Sequence, residues 1–132
     1  MGMGTICAIS TPIGTGGISI IRMSGEQSLE IAQKMFSPYR VKWQDIEPRK
    51  MYLGKVKTKN FADQALFVYF KAPNSYTGED LVEFHLHGGN ALTLGVLSQC
   101  LYLGAQMAEP GEFTKRGFLN GKISLSSAEG VI

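Results

Sequence analysis

No Cys-x-x-Cys pair, no stretch of about 18 apolar residues and no Gly-Lys-Ser/Thr triplet occur in this sequence. The first absence removes zinc knuckles and dithiol redox motifs. The second removes a membrane-spanning helix, and no signal-peptide pattern is present, so a cytosolic protein is expected. The third removes a P-loop. Gly54-Lys55 runs on into Val56 and Gly121-Lys122 into Ile123, where phosphate and magnesium binding needs Ser or Thr. The run Gly14-Thr-Gly-Gly17 also fails as a dinucleotide fingerprint, because Ser19 stands where the third glycine belongs. It reads as a tight turn. A net charge of +2 is too small to argue for nucleic-acid binding. The two cysteines, Cys7 and Cys100, sit far apart in separate apolar runs and read as buried free thiols.

What is present is an ordinary globular mix, 44% hydrophobic and 18% charged over 132 residues, enough for one domain with its own core. Thr5–Ser10 and Gly17–Met23 read as strands. Alternation in the second places Ile18, Ile20 and Arg22 on one face and Ser19, Ile21 and Met23 on the other. Arg22 thus ends an apolar row and needs a partner or a way out to water. Ser24 with Gln27 forms a capping-box pattern, and Leu29, Ala32, Met35 and Phe36 follow at helical spacing up to Pro38. Met51–Val56 and Ala65–Phe70 read as a strand pair joined by a hairpin at Asn60–Asp63. Leu81–His87 alternates, with Val82, Phe84 and Leu86 on one side and Leu81, Glu83, His85 and His87 on the other. A helix apolar nearly all round runs from Gly89-Asn90 to about Leu103 and is expected to be buried. Pro110-Gly111 leads into a short helix that Asn120-Gly121 ends. There Phe113 and Phe118 are expected in the core, with Lys115 and Arg116 outward. Ser126 and Glu129 open a further capping box, which is expected to start a helix continuing in a longer protein.

Three charges stand out chemically. Glu83 can accept the paired ring N–H and amino group of a pterin. Arg22 and Lys122 are cations suited to a pterin carbonyl or a folate carboxylate. Spacing alone favours reading them as three ordinary charges. Glu83, His85 and His87 share a strand face that suits metal ligands, or a plain polar face. Glu79 and Asp80 form a carboxylate pair that caps a turn or binds locally. Arg40, Lys42, Arg49, Lys50, Lys55, Lys57 and Lys59 form either a phosphate-contacting run or a solvated face diluted by Asp45 and Glu47.

Three segments carry a family resemblance: Thr11-Pro-Ile-Gly-Thr-Gly-Gly-Ile-Ser-Ile-Ile-Arg-Met-Ser-Gly25, Asn74-Ser-Tyr-Thr-Gly-Glu-Asp-Leu-Val-Glu-Phe-His-Leu-His-Gly-Gly89 and Pro110-Gly-Glu-Phe-Thr-Lys-Arg-Gly-Phe-Leu-Asn-Gly-Lys122. The chain resembles the N-terminal domain of the MnmE/TrmE family of tRNA-modification GTPases, from about Thr5 onward and least between Pro38 and Met51. The resemblance implies an α+β fold, a mixed sheet of about five strands with packed helices, similar to the tetrahydrofolate-binding unit of aminomethyltransferases. It implies an N-terminal folate-binding and dimerisation domain over 5–122, with 123–132 the start of a helical domain. It implies that Arg22, Glu83 and Lys122 hold 5-formyl-tetrahydrofolate or another tetrahydrofolate derivative, with no catalytic residue and no metal ligand in this stretch. GTP, magnesium and potassium would belong to a GTPase domain outside this chain. The implied partners are a second copy, an FAD-containing MnmG (GidA) type protein and, through that complex, tRNA modified at carbon 5 of the wobble uridine. Ile13, where relatives often carry proline, leaves the glycine turn intact. Two readings from other classes compete: an RNA-binding module without folate, and a metal-dependent hydrolase built on Glu83, His85 and His87.

Overall fold

The computed structural model describes residues 4–11, 17–87 and 89–122. In chain order the elements are β1 (Ile6–Ile9), β2 (Ser19–Ser24), α1 (Ser28–Met35), β3 (Phe36–Pro38), β4 (Tyr52–Lys57), β5 (Ala62–Phe70), β6 (Leu81–Leu86), α2 (Gly89–Tyr102), β7 (Gln106–Met107) and α3 (Glu112–Leu119), with a 3-10 turn at Trp43–Asp45. The glycine loop at 12–16 and the helix expected from Ser126 lie outside the described residues.

The strands form one mixed sheet of seven, in the order β3-β4-β5-β6-β2-β1-β7. Neighbours are antiparallel except β1 and β7. The α+β class agrees with expectation, but the number of strands exceeds the five expected. The two additional strands are β3, three residues long, and β7, two residues long. Neither is long enough to show alternation, and both form by pairing with a neighbour already in the sheet. Pro38 lacks an N–H, which is tolerated because β3 is an edge strand.

The period of two along each strand sends one set of side chains toward α1 and α2. Ile21, Met23, Val56, Phe67, Val82, Phe84 and Leu86 are buried there, with Cys7 and Cys100 as buried free thiols. Phe36, Phe67 and Phe84 stack at ring separations of 5.1–6.0 Å, and Trp43 closes the group edge-on. Helix α1 meets this layer with Ile31, Ala32 and Met35.

Two local expectations are corrected. Ser24 does not cap α1; the helix begins after Gln27 without a side-chain cap. The Ser24 hydroxyl is drawn instead to Thr77 and Glu79. Helix α2 is not buried all round. Its inward stripe is Leu92, Val96 and Cys100, whereas Leu94 and Tyr102 are exposed by 49% and 83%. Helix α2 lies on the outside of the layer it shares with α1, so only the stripe turned to the sheet and α1 is covered. Its outer side, with Phe61, borders a cavity of about 640 Å³.

Gly54 on β4 lies against the Phe36 ring and the Ser37 carbonyl, with no room for a Cβ. Gly54→Ala is expected to lower stability by about 1–3 kcal/mol through this overpacking. Urea unfolding should show a lower midpoint at unchanged slope.

Candidate functional site

The face of the sheet away from α1 and α2 carries the chemistry. β2 and β6 pair antiparallel with Arg22 opposite Glu83 and Ile20 opposite His85. The same registers extend two rows across the sheet: Ala8, Arg22, Glu83 and Val68 in one, Ile20, His85, Leu66 and Leu53 in the other. A charged cluster therefore sits among apolar neighbours on the face opposite α1 and α2, where α3 reaches it only at the Arg22 end through Phe113.

Arg22 donates from Nε and Nη2 to Glu83 Oε2 at 3.0 and 2.9 Å. His85 Nε2 lies 2.9 Å from Glu83 Oε1. Both carboxylate oxygens are thus engaged, and the Glu83 side chain is only 13% exposed. Burial alone would push its pKa up. The hydrogen bonds from His85 and Arg22, helped by their charge, outweigh burial and hold it below the ordinary glutamate value. Glu83 is in consequence a carboxylate kept charged in a half-apolar setting. It can accept N–H groups from a ligand through its remaining lone pairs.

Aromatic side chains flank the arginine. The guanidinium carbon of Arg22 lies 5.6 Å from the Tyr76 ring centre and 5.8 Å from that of Phe113, within reach of cation–π attraction. These three side chains line a cavity of about 440 Å³, together with Ser10 and Thr114. Tyr76 reaches it from the 74–80 loop and Phe113 from α3. The cavity has a planar cation, two aromatic rings and hydroxyls, a lining suited to a flat, polar heterocycle.

The third expected residue, Lys122, follows the end of α3. Its amide donates to the Gly117 carbonyl at 2.8 Å, and its stem lies against Gly78 in the same loop that carries Tyr76. Its side chain is exposed and forms no ion pair with Glu83 among the described residues. Arg22 and Glu83 are therefore in contact, and Lys122 stands at the loop beside them.

Sequence reading missed Arg116. Expected to face outward, it is 2% exposed and bridges Glu79, at 3.1 Å, and Glu112, at 3.0 Å. Conversely, Phe118, expected in the core, is 39% exposed, and Phe113 is half-buried at the cavity. The rotation of α3 that buries Arg116 carries Phe118 outward. The Glu112–Arg116 spacing of four residues was the available signal. Asp80, the other member of the carboxylate pair, accepts the Ala72 amide at 2.9 Å and so acts locally, whereas Glu79 binds the distant Arg116 and Ser24.

Among the described residues no three His, Cys, Asp or Glu side chains converge as a metal would require. His87 lies beyond β6 and is exposed, apart from the Glu83–His85 contact. The cations from Arg40 to Lys59 are all exposed, and Lys50 pairs with Glu47 at 3.7 Å.

Residues 5–122 match the protein family described as "GTP-binding protein TrmE N-terminus". The chain is similar to proteins named "tRNA modification GTPase MnmE". It is 50% identical over 129 residues to that of Pseudothermotoga lettingae, covering 96% of this chain and 28% of the relative. It is 52% identical over 130 residues to that of Caldicellulosiruptor saccharolyticus, covering 97% and 29%. To that of Fervidobacterium nodosum it is 47% identical over 130 residues, covering 97% and 28%. The chain thus spans under a third of the length of these relatives.

A carboxylate whose folded pKa is depressed adds stability above its unfolded pKa, here about 4.5. That contribution disappears as pH falls through the lower, folded value. Between neutral pH and the region below pH 4.5, the wild-type chain should therefore lose more stability than Glu83→Gln. Urea midpoints measured across that range check this, and parallel curves would show that Glu83 is not held charged by the fold.

Proposed function

We propose, for a chain that belongs to the family of TrmE N-terminal domains, that it is the tetrahydrofolate-binding and homodimerising part of a tRNA-modification GTPase. The observation that carries the reading is the Arg22–Glu83 pair on the sheet face away from α1 and α2, with Arg22 between two aromatic rings at a cavity wall. These residues fit a reduced pterin. Glu83 is a charged acceptor for adjacent N–H groups, Arg22 a donor for carbonyl or carboxylate, and Tyr76 and Phe113 offer apolar faces. Lys122 is exposed beside the loop, where a flexible cation can reach a folate's glutamate carboxylate.

The ligand would be 5-formyl-tetrahydrofolate or a related derivative, which supplies a one-carbon unit. This chain's residues bind and orient it, and none is assigned a catalytic role. The fold would be that of the tetrahydrofolate-binding unit of aminomethyltransferases. Residues 5–122 would form the folate and dimer domain, matching the span of the family model. Homodimerisation is supported by the uncovered apolar side chains Ile18, Leu53 and Leu66, of which Leu53 and Leu66 lie in the His85 row. In the longer protein, a GTPase domain would hold GTP, magnesium and potassium. With an FAD-containing MnmG-type partner it would modify carbon 5 of the tRNA wobble uridine, in the cytosol.

Calorimetric titration with 5-formyl-tetrahydrofolate should show saturable binding by the wild-type chain. Glu83→Ala, with an unchanged circular-dichroism spectrum, should bind at least about 30-fold more weakly, since it removes a charged hydrogen-bonding partner worth roughly 2 kcal/mol or more. Wild-type affinity in the variant, or no binding by the wild type, overturns the folate reading.

A further inference from the structure

Arg116 is the deeply buried cation among the described residues, at 2% exposure. Its Nη1 donates to both oxygens of Glu79, at 3.1 and 3.3 Å, and its Nη2 to Glu112 at 3.0 Å. Its Nε has no partner among the described residues. A buried ion pair with an orphaned donor is a poor way to gain stability, because desolvation offsets most of the attraction and apolar replacements often serve as well. What such a pair does fix is geometry.

The geometry fixed here is the join between the 74–80 loop and α3. Glu79 belongs to the loop and also accepts Ser24 Oγ at 2.8 Å, two residues along β2 from Arg22. Glu112 and Arg116 belong to α3. Further bonds span the same seam: the Tyr76 hydroxyl lies 2.8 Å from Thr114 Oγ1, and Asn120 Nδ2 donates to the Thr77 carbonyl at 2.8 Å. At Gly78, φ is +80°, and an added Cβ would meet Asn120 Cβ at 2.8 Å. The seam is therefore closed along its length. The two rings flanking Arg22 lie on its opposite sides, Tyr76 on the loop and Phe113 on α3.

We propose that Arg116 is a positioning residue for the ligand cavity. It clamps the 74–80 loop to α3, sets the separation of Tyr76 from Phe113 about Arg22, and does so without touching the ligand. The ligand named in the test rests on the folate reading above; the clamp itself does not.

The test uses the chain with Arg116→Lys, Thr114→Val and both together, followed by two readouts. Lysine keeps the charge but cannot bridge two carboxylates from one planar fork. Amide hydrogen exchange at residues 75–79 should be faster in Arg116→Lys, with exchange in β5 and β6 unchanged. Binding of 5-formyl-tetrahydrofolate should weaken about tenfold in Arg116→Lys and about threefold in Thr114→Val. The double variant should stay near tenfold rather than the product, because both substitutions release the same seam. A side chain that only stabilises the fold would lower the melting temperature and leave the affinity of folded protein unchanged. Should Arg116→Lys fail to fold, Glu79→Gln, which keeps the side chain's size, takes its place. Unchanged exchange at 75–79 overturns the clamp. Unchanged affinity in the variants, beside clear wild-type binding, overturns its role in the cavity. Faster exchange with no binding by the wild type sinks the folate reading and leaves the clamp standing.

Discussion

The antiparallel register of β2 on β6 decides both sides of the sheet at once. Ile21 opposite Phe84 and Met23 opposite Val82 belong to the buried layer. Arg22 opposite Glu83, one residue along, belongs to the other face. Side chains alternate with a period of two, so a slip of one residue would drive the arginine and the glutamate into the aromatic core and turn Ile21 and Phe84 to water. The cost of burying unmatched charges, several kcal/mol each, guards the register from one side and the loss of apolar burial guards it from the other. Core and site are therefore two readings of one alignment.

Around this pair the molecule places its polar groups in a graded way. At the sheet, Glu83 is matched by Arg22 and His85 with modest exposure. At the end of β2, Ser24, Thr77, Glu79 and Arg116 form a second network in which Ser24, Thr77 and Arg116 are buried and Glu79 is partly open to water. Charge–dipole interactions strengthen in such surroundings, but each unmatched group costs more there. The network holds a loop that has no regular secondary structure of its own, which explains how residues 74–80 keep a defined path between β5 and β6.

Much of this was legible in the sequence. Alternation in Gly17–Met23 and Leu81–His87 put Arg22 on the face away from Ile21 and Met23, at the end of the row of Ile18 and Ile20, and Glu83 on the face away from Val82, Phe84 and Leu86, and the hairpin of β4 with β5 followed from two β-rich runs around a turn. What alternation could not supply was long-range partnership. Arg116 reads as solvent-facing on an isolated helix because one of its carboxylates lies 37 residues earlier in the chain. Ser24 reads as a cap because its competing acceptors are likewise remote. The strands β3 and β7 are too short for any periodic signal and exist because a neighbour offers free hydrogen-bonding groups. Helix α2 reads as wholly buried because composition does not reveal that no further layer of the described residues packs on its outer side, where Leu94 and Tyr102 are exposed.

The two outermost strands have a consequence for association. A sheet ends in rows of unpaired N–H and C=O groups that invite another chain to extend it. Here one border is three residues long and includes proline, which has no N–H to offer, and the other is two residues long. Neither border provides a template for strand addition of useful length. Growth of the sheet along its hydrogen-bonding direction is thereby blunted at both borders of the described residues, which is how a sheet with two open ends avoids becoming a template for open-ended stacking.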